Sequence, residues 1–456
     1  MSRIAVALAL VLPLWGGDRA LEARLLDPIL SELRDGALVR AVVTQSATLP
    51  RGTLLEARVA RSRPVGLGLR RERASLVLEF RECVLPDGTR HPLGAELRSI
   101  DNAREEVRRN GEVRGILAAD GPQSWVRGLW FRPQAHLFQR SLLGLTGAAG
   151  QAWSRLNMGP FGAVGLVAVR MSVFRLPDPE IRIPAGADLL LEIETGPTPA
   201  LDGSRGSDET ELSGNLRQWI KEQPARVTEP DGKPASDVIN LAFLGDEHTV
   251  KWSFAAAGWS EADALNRQTF ARAYKAFLQV HAYPTAPVSP LHYGGRPPDM
   301  VFQRSLNTVA KRHHVRIWRA GEVDGQTVWL GAATHDVGIV FNRGKFTLTH
   351  RIDSAIDKER DKLIGDLDFA GCAEPVAFVD RPLAESRAKQ RISTDGRVAV
   401  VTLRPCDPPN LDVSPSQVAR RPAHVRAARR FTLETRAYLL RGNLYYWGYS
   451  YARRVF

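Results

Sequence analysis

The sequence contains few cysteines, and they lie far apart. Only three of its 456 residues are cysteine, at Cys83, Cys372 and Cys406. Three are too few for a disulfide framework or for a zinc site made of cysteines. At most one bridge can form. Cys372 and Cys406 are the pair nearest in sequence, and the sequence leaves their pairing open.

Lysine is also scarce. The 62 basic residues include only nine lysines, the first of them Lys221, so arginine supplies most of the net charge of +12. No segment combines clustered basic side chains with aromatic side chains for base stacking, as a nucleic-acid groove does. We therefore predict no nucleic-acid partner. A basic surface instead suits an acidic lipid, a glycan or another envelope protein, with peripheral contact to a membrane.

Long hydrophobic runs are absent beyond the N-terminus. Arg3 is followed by twelve uncharged residues, 4–15. A short basic start and an apolar run of this length are typical of a secretory signal peptide. We assign residues 1–23 to a signal-peptide-like segment and the protein to the periplasm or cell envelope. A buried N-terminal helix is the alternative, and cleavage is left open. No later run reaches 18 uncharged apolar residues, so no internal membrane span is predicted.

Residues 37–194 have the pattern of a β-rich domain. Segments such as ALVRAVVTQ and ASLVLEFREC are rich in Val and Leu and partly alternate. Two similar Pro-Gly turns, at 50–52 and 184–186, each precede an apolar strand, which predicts one barrel or sandwich that the chain leaves and re-enters. Between them, the glycine-rich stretch 142–170 is interpreted as a packed surface excursion, with a membrane-apposed hairpin as the alternative.

The rest of the chain divides into three parts. Residues 195–236 are polar and rich in turn residues, which predicts a linker and the main domain boundary. Residues 237–405 alternate strands and helices as in an α+β domain with a mixed sheet. The tail, 406–456, is predicted to form a β-hairpin around Gly442 and Asn443. The predicted fold class is therefore α+β, with a β-rich N-terminal region.

Histidines concentrate in the α+β domain. Functional sites gather ionisable groups in this way, although histidines also cluster by chance. In the segment RHHVRIW, alternation along a strand places His314, Arg316 and Trp318 on one face and His313 on the other. Seven of the ten histidines lie between residues 238 and 370, namely His248, His281, His292, His313, His314, His335 and His350.

These residue types suggest chemistry on an anion. Histidine moves protons near neutral pH, and arginine holds a phosphate or carboxylate through two parallel hydrogen bonds. Aspartates nearby would orient the histidines. The candidate catalytic residues are His314, His350, Asp336 and Asp353, and the candidate ligand-binding residues are Arg312, Arg316, Trp318 and Arg351.

Two other interpretations stay open. In the first, Arg351, Asp353, Asp357 and Arg360 form a structural network of ion pairs. In the second, two histidines and a carboxylate bind a transition metal. No set of metal ligands is assigned from the sequence, and no cofactor is indicated.

The same region resembles a known family. The blocks VINLAFLGDEHTVKWSFAAAGW, RHHVRIW, VWLGAATHD and LTHRIDSAIDKERDKLIGDL resemble the LssY C-terminal domain over roughly residues 236–403. The resemblance implies a place near membrane lipids, because such domains are often attached to DedA-type membrane segments or to lipid-phosphatase domains. It supplies no established catalytic residues.

Two functional hypotheses follow. The first is an accessory or binding protein of the cell envelope with a site for an anion such as phosphate. The alternative is a hydrolase of a phosphate ester of a lipid or glycan that uses His, Arg and Asp. The sequence has no H-E-x-x-H, Walker, G-x-S-x-G or C-x-x-C motif, which favours the first.

Overall fold

The structure, a computed structural model, describes seven stretches of the chain. They are residues 19–67, 71–117, 177–196, 211–342, 347–382, 392–407 and 422–441. Residues 1–18, the glycine-rich stretch 142–170 and the Gly442–Asn443 turn lie outside them. Within these stretches, no helix has the length and apolar character needed to cross a membrane.

The N-terminal half is built on strands with one buried face. Between residues 38 and 46, Val39, Ala41 and Val43 are buried and the residues between them are partly exposed. Such strands enclose a core when the sheet curls and closes on itself. The predicted barrel or sandwich is a closed six-stranded barrel.

The described part of this half contains ten strands. They are β1 (Ala20–Leu25), β2 (Ile29–Leu30), β3 (Leu38–Ser46), β4 (Leu54–Arg63), β5 (Ser75–Val84), β6 (Arg90–Ile100), β7 (Glu106–Val107), β8 (Val113–Arg114), β9 (Arg182–Ile183) and β10 (Asp188–Thr195). The barrel order is β4-β3-β1-β10-β6-β5, and pairing of β4 with β5 closes it. Every pair in the barrel is antiparallel.

The chain leaves the barrel after β6 and returns as β10, as the paired Pro-Gly turns predict. Gly52 and Gly186 both have φ of +84°, a conformation that glycine adopts without strain. The two turns lead into β4 and β10. On its return, β10 pairs with β1 on one side and with β6 on the other.

The predicted signal segment 1–23 extends too far. Strand β1 begins at Ala20, and Leu21 and Ala23 are fully buried in the barrel core. Residues 20–23 therefore belong to a barrel strand between β3 and β10. The apolar run 4–15 ends before this strand, so only the C-terminal boundary of the predicted segment changes.

The C-terminal half contributes ten more strands to the described structure. They are β11 (Arg226–Thr228), β12 (Pro234–Val238), β13 (Leu241–Leu244), β14 (Ser260–Glu261), β15 (Met300–Ser305), β16 (Arg312–Val323), β17 (Gln326–Asn342), β18 (Thr347–Ile352), β19 (Ala377–Asp380) and β20 (Arg397–Thr402). One sheet runs β14-β15-β16-β17-β13-β20-β19, with β18 also on β17. It is mixed, as predicted, because β13 and β20 are parallel and its other pairs are antiparallel.

Helices cover both faces of this sheet. On one face, Leu363 and Leu367 pack into a core with Phe243 and Val315. On the other face, Ile220 packs into a second core. The described residues form five helices, which are α1 (Gly214–Glu222), α2 (Glu247–Ala256), α3 (Arg267–Gln279), α4 (Ile356–Phe369) and α5 (Ala423–Arg441). The fold is α+β.

Two predicted segments fold differently from expectation. The linker 195–236 contains α1, β11 and most of β12, because Leu216 and Ile220 lie four residues apart on one helix face and both bury against the sheet. In the predicted hairpin tail, residues 423–441 form α5, and Leu433 of that helix packs into the barrel core. In the linker, tertiary contacts of Leu216 and Ile220 outweigh the turn-rich composition around them.

Cys372 and Cys406 form a disulfide bond, so the pairing that the sequence left open is made. The bond joins the segment just after α4 to the segment after β20. Cys83 is the remaining cysteine of the chain; it is buried in the barrel with a free thiol.

Buried ion pairs join the barrel to the sheet domain. Asp366 of α4 bonds to Arg24 of β1 at 2.8 Å and to Arg304 of β15 at 2.8 Å. Asp188 of β10 accepts from Arg24 at 2.8 Å and from Lys362 of α4 at 2.8 Å. We call these five residues the junction ion network. All five side chains are less than 15% exposed, so each charge depends on its partners.

Candidate functional site

Strand β16 carries polar residues on both faces of the sheet. Val315 and Ile317 point into the core under α4, and Trp318 points into the core under α1. The predicted separation of His314 from His313 is therefore confirmed. The two histidines belong to two different clusters.

The first cluster centres on Asp336, and we call it the Asp336 cluster. Arg312 lies opposite Asp336 across β16 and β17, and its Nε donates to Oδ2 at 3.0 Å. His350 Nδ1 lies 3.1 Å and His314 Nδ1 3.6 Å from the same oxygen. The structure thus brings together four of the residues predicted from sequence: Arg312, His314, Asp336 and His350.

Burial sets the charge state of the two histidines, and neighbouring groups set that of Asp336. Burial lowers the pKa of His314 well below its ordinary value, and it lowers that of His350 as well. Burial alone would raise the pKa of Asp336, but His314, His350 and Arg312 outweigh it and lower the pKa to about 2. Neither histidine Nδ1 has a hydrogen-bond partner aligned with it. The cluster is a buried carboxylate beside two neutral imidazoles.

The guanidinium of Arg316 already has hydrogen-bond partners inside the protein. Its guanidinium bonds to Asp237 at 2.6 Å, to the carbonyl oxygen of Ser289 at 3.0 Å and to Ser289 Oγ at 3.1 Å. The side chain is 3% exposed. An anion would have to displace a carboxylate to reach it. Arg312 is occupied in the same way by Asp336 and by backbone carbonyls.

The other predicted residues lie apart from this cluster. Trp318 is fully buried, and its indole N–H donates to the carbonyl of Arg296. Arg351 is exposed. Asp353 accepts the backbone N–H of Ala355 at 3.0 Å, just before α4, and lines a pocket beside the second cluster.

The second cluster lies where the barrel meets the sheet domain. His313 Nε2 lies 2.5 Å from Oδ2 of Asp101, which follows β6 of the barrel, and His313 Nδ1 lies 2.5 Å from Oε2 of Glu359 in α4. His335 faces His313 across β16 and β17, and the two rings stack at 4.3 Å. We call Asp101, His313, His335 and Glu359 the junction cluster.

The two carboxylates control the charge of His313. Burial alone would lower its pKa, but Asp101 and Glu359 outweigh burial and raise the pKa to about 10. His335 differs, because burial and the neighbouring His313 lower its pKa. His335 Nε2 is held by Asn102 Oδ1 at 2.8 Å. The charged imidazole of His313 therefore bridges the carboxylates of Asp101 and Glu359, and the neutral imidazole of His335 lies beside it.

Residues 220–398 match the family model described as LssY C-terminus. This segment is an LssY C-terminal domain. No curated protein matches the chain. The domain runs from Ile220 in α1 to Val398 in β20 and therefore supplies His313, His335 and Glu359, whereas Asp101 comes from the barrel outside it.

A pocket of about 190 Å³ opens beside the junction cluster, between the barrel and the LssY C-terminal domain. Carboxylates outnumber lysines among the described residues that line it. Burial raises the pKa of one of these carboxylates, Glu22. The charged and imidazole lining consists of Glu22, Asp101, Asp188, Asp353, Glu359, Lys358, Lys362, His313 and His335.

Sequence reasoning missed the junction cluster as a unit. It placed His313 on the opposite face of the strand from His314, and it assigned no role in a site to Glu359 or Asp101. Asp101 is 212 residues from His313 and follows a barrel strand, and no spacing rule connects it to the LssY C-terminal domain. The sequence could have indicated only that His313 pairs with His335. The two residues face each other if β16 and β17 form a hairpin.

Proposed function

We propose that this protein is an exported binding protein of the cell envelope that takes a cationic ligand in the pocket between the barrel and the LssY C-terminal domain. The observation that carries the proposal is the charge of that pocket. Five carboxylates line it among the described residues, against two lysines and the charged imidazole of His313. A concave site with an excess of carboxylates attracts cations and repels phosphate.

The state of Glu359 supports the same conclusion. The residue is 3% exposed, its Oε2 accepts from His313, and its Oε1 is buried with no hydrogen-bond partner. A buried carboxylate oxygen without a partner is unfavourable, and a bound cation would satisfy it. An anion in the same place would add repulsion.

Binding is favoured over phosphate-ester hydrolysis by the state of the arginines. The hydrolase hypothesis needs Arg312 and Arg316 to clamp a phosphoryl group. Both guanidinium groups instead bond to carboxylates and carbonyls inside the protein. The anion site expected from sequence therefore gives way, in this proposal, to a cation site.

Export is supported by the disulfide. The bond between Cys372 and Cys406 is stable in an oxidising compartment and rare in the cytosol. The signal-like run at residues 4–15 precedes the first barrel strand. A reporter fused after Leu30 should be active only outside the cytoplasm. Activity confined to the cytoplasm would contradict this part of the proposal.

The binding claim is tested by thermal unfolding of the tag-free full-length protein. The probes are spermidine, choline and zinc chloride as cations, and phosphate and sulfate as anions. At least one cation should raise the melting temperature, because a ligand bound only to the folded state stabilises it by mass action. The Glu359→Gln variant should lose this shift, and Glu261→Gln, at an exposed position of β14, should keep it. A rise with phosphate or sulfate and with no cation would overturn the proposal.

The Asp336 cluster supports a second candidate function. His350 is 28% exposed, and its Nδ1 faces the buried carboxylate of Asp336. A partly exposed histidine beside a carboxylate is the arrangement of a general base, and such contacts are often poorly aligned in an unliganded site. In a phosphatase and phosphodiesterase panel run with and without divalent metals, a hydrolase would lose activity in His350→Ala and retain it in His248→Ala, whose ring is exposed. No turnover of any ester by the wild type would exclude this candidate.

A further inference from the structure

We propose that Asp101, His313 and His335 bind a divalent transition-metal ion of the Zn²⁺ type at the junction between the barrel and the LssY C-terminal domain. The proposal deepens the proposed function, because it names the cation that the pocket takes. It rests on the placement of donor atoms and on one buried oxygen without a partner.

The donor atoms already lie close together. One carboxylate oxygen of Asp101 and one ring nitrogen each of His313 and His335 are within 4.8 Å of one another. Two imidazoles and one carboxylate are a ligand set that zinc and similar metals accept, with a further position left for water or a ligand. The adjoining pocket provides the space for that position.

The ligands come from separate parts of the chain that the fold holds rigidly. Asp101 follows β6 of the barrel, whereas His313 and His335 are opposed residues of β16 and β17. Both strands lie inside the sheet, and the junction ion network fixes the barrel against it. Strands hold the two histidines in place, and Asp101 lies in the turn directly after β6.

Glu359 supplies an independent observation. Its side chain is 2% exposed and lines the pocket, and its Oε1 has no hydrogen-bond partner. Its Oε2 faces His313 Nδ1 at 2.5 Å. A histidine that ligates a metal commonly donates its other ring N–H to a carboxylate, which orients the ring. Glu359 is thus placed as the positioning residue for His313.

Binding would require a small opening of the site. His313 Nε2 and Asp101 Oδ2 are now 2.5 Å apart, which is a hydrogen bond. Two ligands of a tetrahedral zinc ion lie about 3.3 Å apart, given bonds of about 2.0 to 2.1 Å. The ion therefore replaces the proton between these atoms, the proton leaves to solvent, and the two side chains separate by about 0.8 Å.

The rival account is purely structural. In it, the imidazolium of His313 bridges Asp101 and Glu359 permanently, and the cluster only holds the two halves of the protein together. The two accounts differ in whether a metal binds with defined stoichiometry and whether His335, which bonds to neither carboxylate, matters for that binding.

The test is equilibrium dialysis of the tag-free full-length protein against zinc chloride after removal of metals with a chelator. We expect one equivalent of zinc per chain. His335→Gln should weaken binding more than 100-fold, and Glu359→Gln should weaken it about 10- to 100-fold. His248→Gln, on an exposed part of α2, should bind as the wild type does.

A second measurement needs no variant. Cobalt(II) bound to nitrogen and oxygen ligands at an open site should give the wild type a visible absorption spectrum, which added zinc abolishes. Absence of stoichiometric binding, or equal binding by a folded His335→Gln variant, would overturn the metal site. If spermidine or choline still raised the melting temperature, the cation-binding function would stand without it.

Discussion

His313 Nε2 lies 2.5 Å from Asp101 Oδ2, so a histidine of the LssY C-terminal domain meets a carboxylate of the barrel. This contact means that the pocket beside it belongs to neither half alone. The domain supplies the imidazoles, and the barrel supplies the carboxylate that makes them a ligand set.

Asp366→Asn should destabilise the protein by about 3 to 5 kcal/mol, because it leaves buried Arg24, Arg304 and Lys362 short of a negative partner. Urea unfolding measures the loss. The matched control is Asp368→Asn on the same helix, whose side chain is 56% exposed and pairs with Arg51. Its effect should stay below about 1 kcal/mol. Equal effects of the two substitutions would contradict a structural role for the network.

The stability should also fall in acid through Asp366. Burial alone would raise its pKa, but Arg304 and Lys362 outweigh burial and lower the pKa to about 2. The unfolded chain has an Asp pKa of about 3.9, so the stabilisation is present above that pH and is lost as the pH falls through about 2. The lowered pKa corresponds to about 2 to 3 kcal/mol.

The measurement is the free energy of unfolding of the wild type and Asp366→Asn from pH 6 to pH 2.5. The difference between them should be constant above pH 5 and should shrink below pH 4. A difference that stays constant down to pH 2.5 would show that the pKa of Asp366 is the same in the folded and the unfolded chain, and would contradict the lowered pKa.

The disulfide can be tested by counting reactive thiols. The chain has three cysteines, and Cys372 is bonded to Cys406. Denatured protein should therefore give one reactive thiol before reduction, from Cys83, and three after it. The bridge closes a loop with a sequence separation of 34 residues, so Cys372→Ser with Cys406→Ser should lower the stability by about 3 to 4 kcal/mol. Three reactive thiols in unreduced protein would contradict the pairing.

Arg316→Gln should destabilise the protein by about 3 kcal/mol, because it removes the buried ion pair between Arg316 and Asp237. Arg351→Gln, at an exposed position, should change the stability by less than about 0.5 kcal/mol. Added phosphate should leave the melting temperature of the wild type unchanged. If phosphate stabilised the wild type but not Arg316→Gln, the result would instead support the anion site expected from the sequence.

Local patterns were sufficient to predict part of this structure. Alternation in RHHVRIW assigned His314, Arg316 and Trp318 to one face and His313 to the other, because the two-residue repeat of a strand needs no tertiary information. The paired Pro-Gly turns predicted that the chain would re-enter the barrel, since each turn fixes the start of a strand.

Features that depend on distant contacts were not predictable in this way. Helix α1 forms in a segment with the composition of a linker, because the sheet offers Leu216 and Ile220 a surface to bury against. Asp237 pairs with Arg316 from 79 residues away, and Asp101 reaches His313 from 212 residues away. A carboxylate next to a barrel strand has no local signal that distinguishes it from a surface charge.

The most direct test of the metal site is a crystal structure of the tag-free full-length protein soaked in zinc chloride, with an anomalous map measured at the zinc edge. We predict one peak about 2.0 to 2.2 Å from a ring nitrogen of His313, a ring nitrogen of His335 and a carboxylate oxygen of Asp101. The separation of His313 Nε2 and Asp101 Oδ2 should widen from 2.5 Å to about 3.3 Å. A map with no peak there, in which His313 keeps its bonds to both Asp101 and Glu359, would contradict the account.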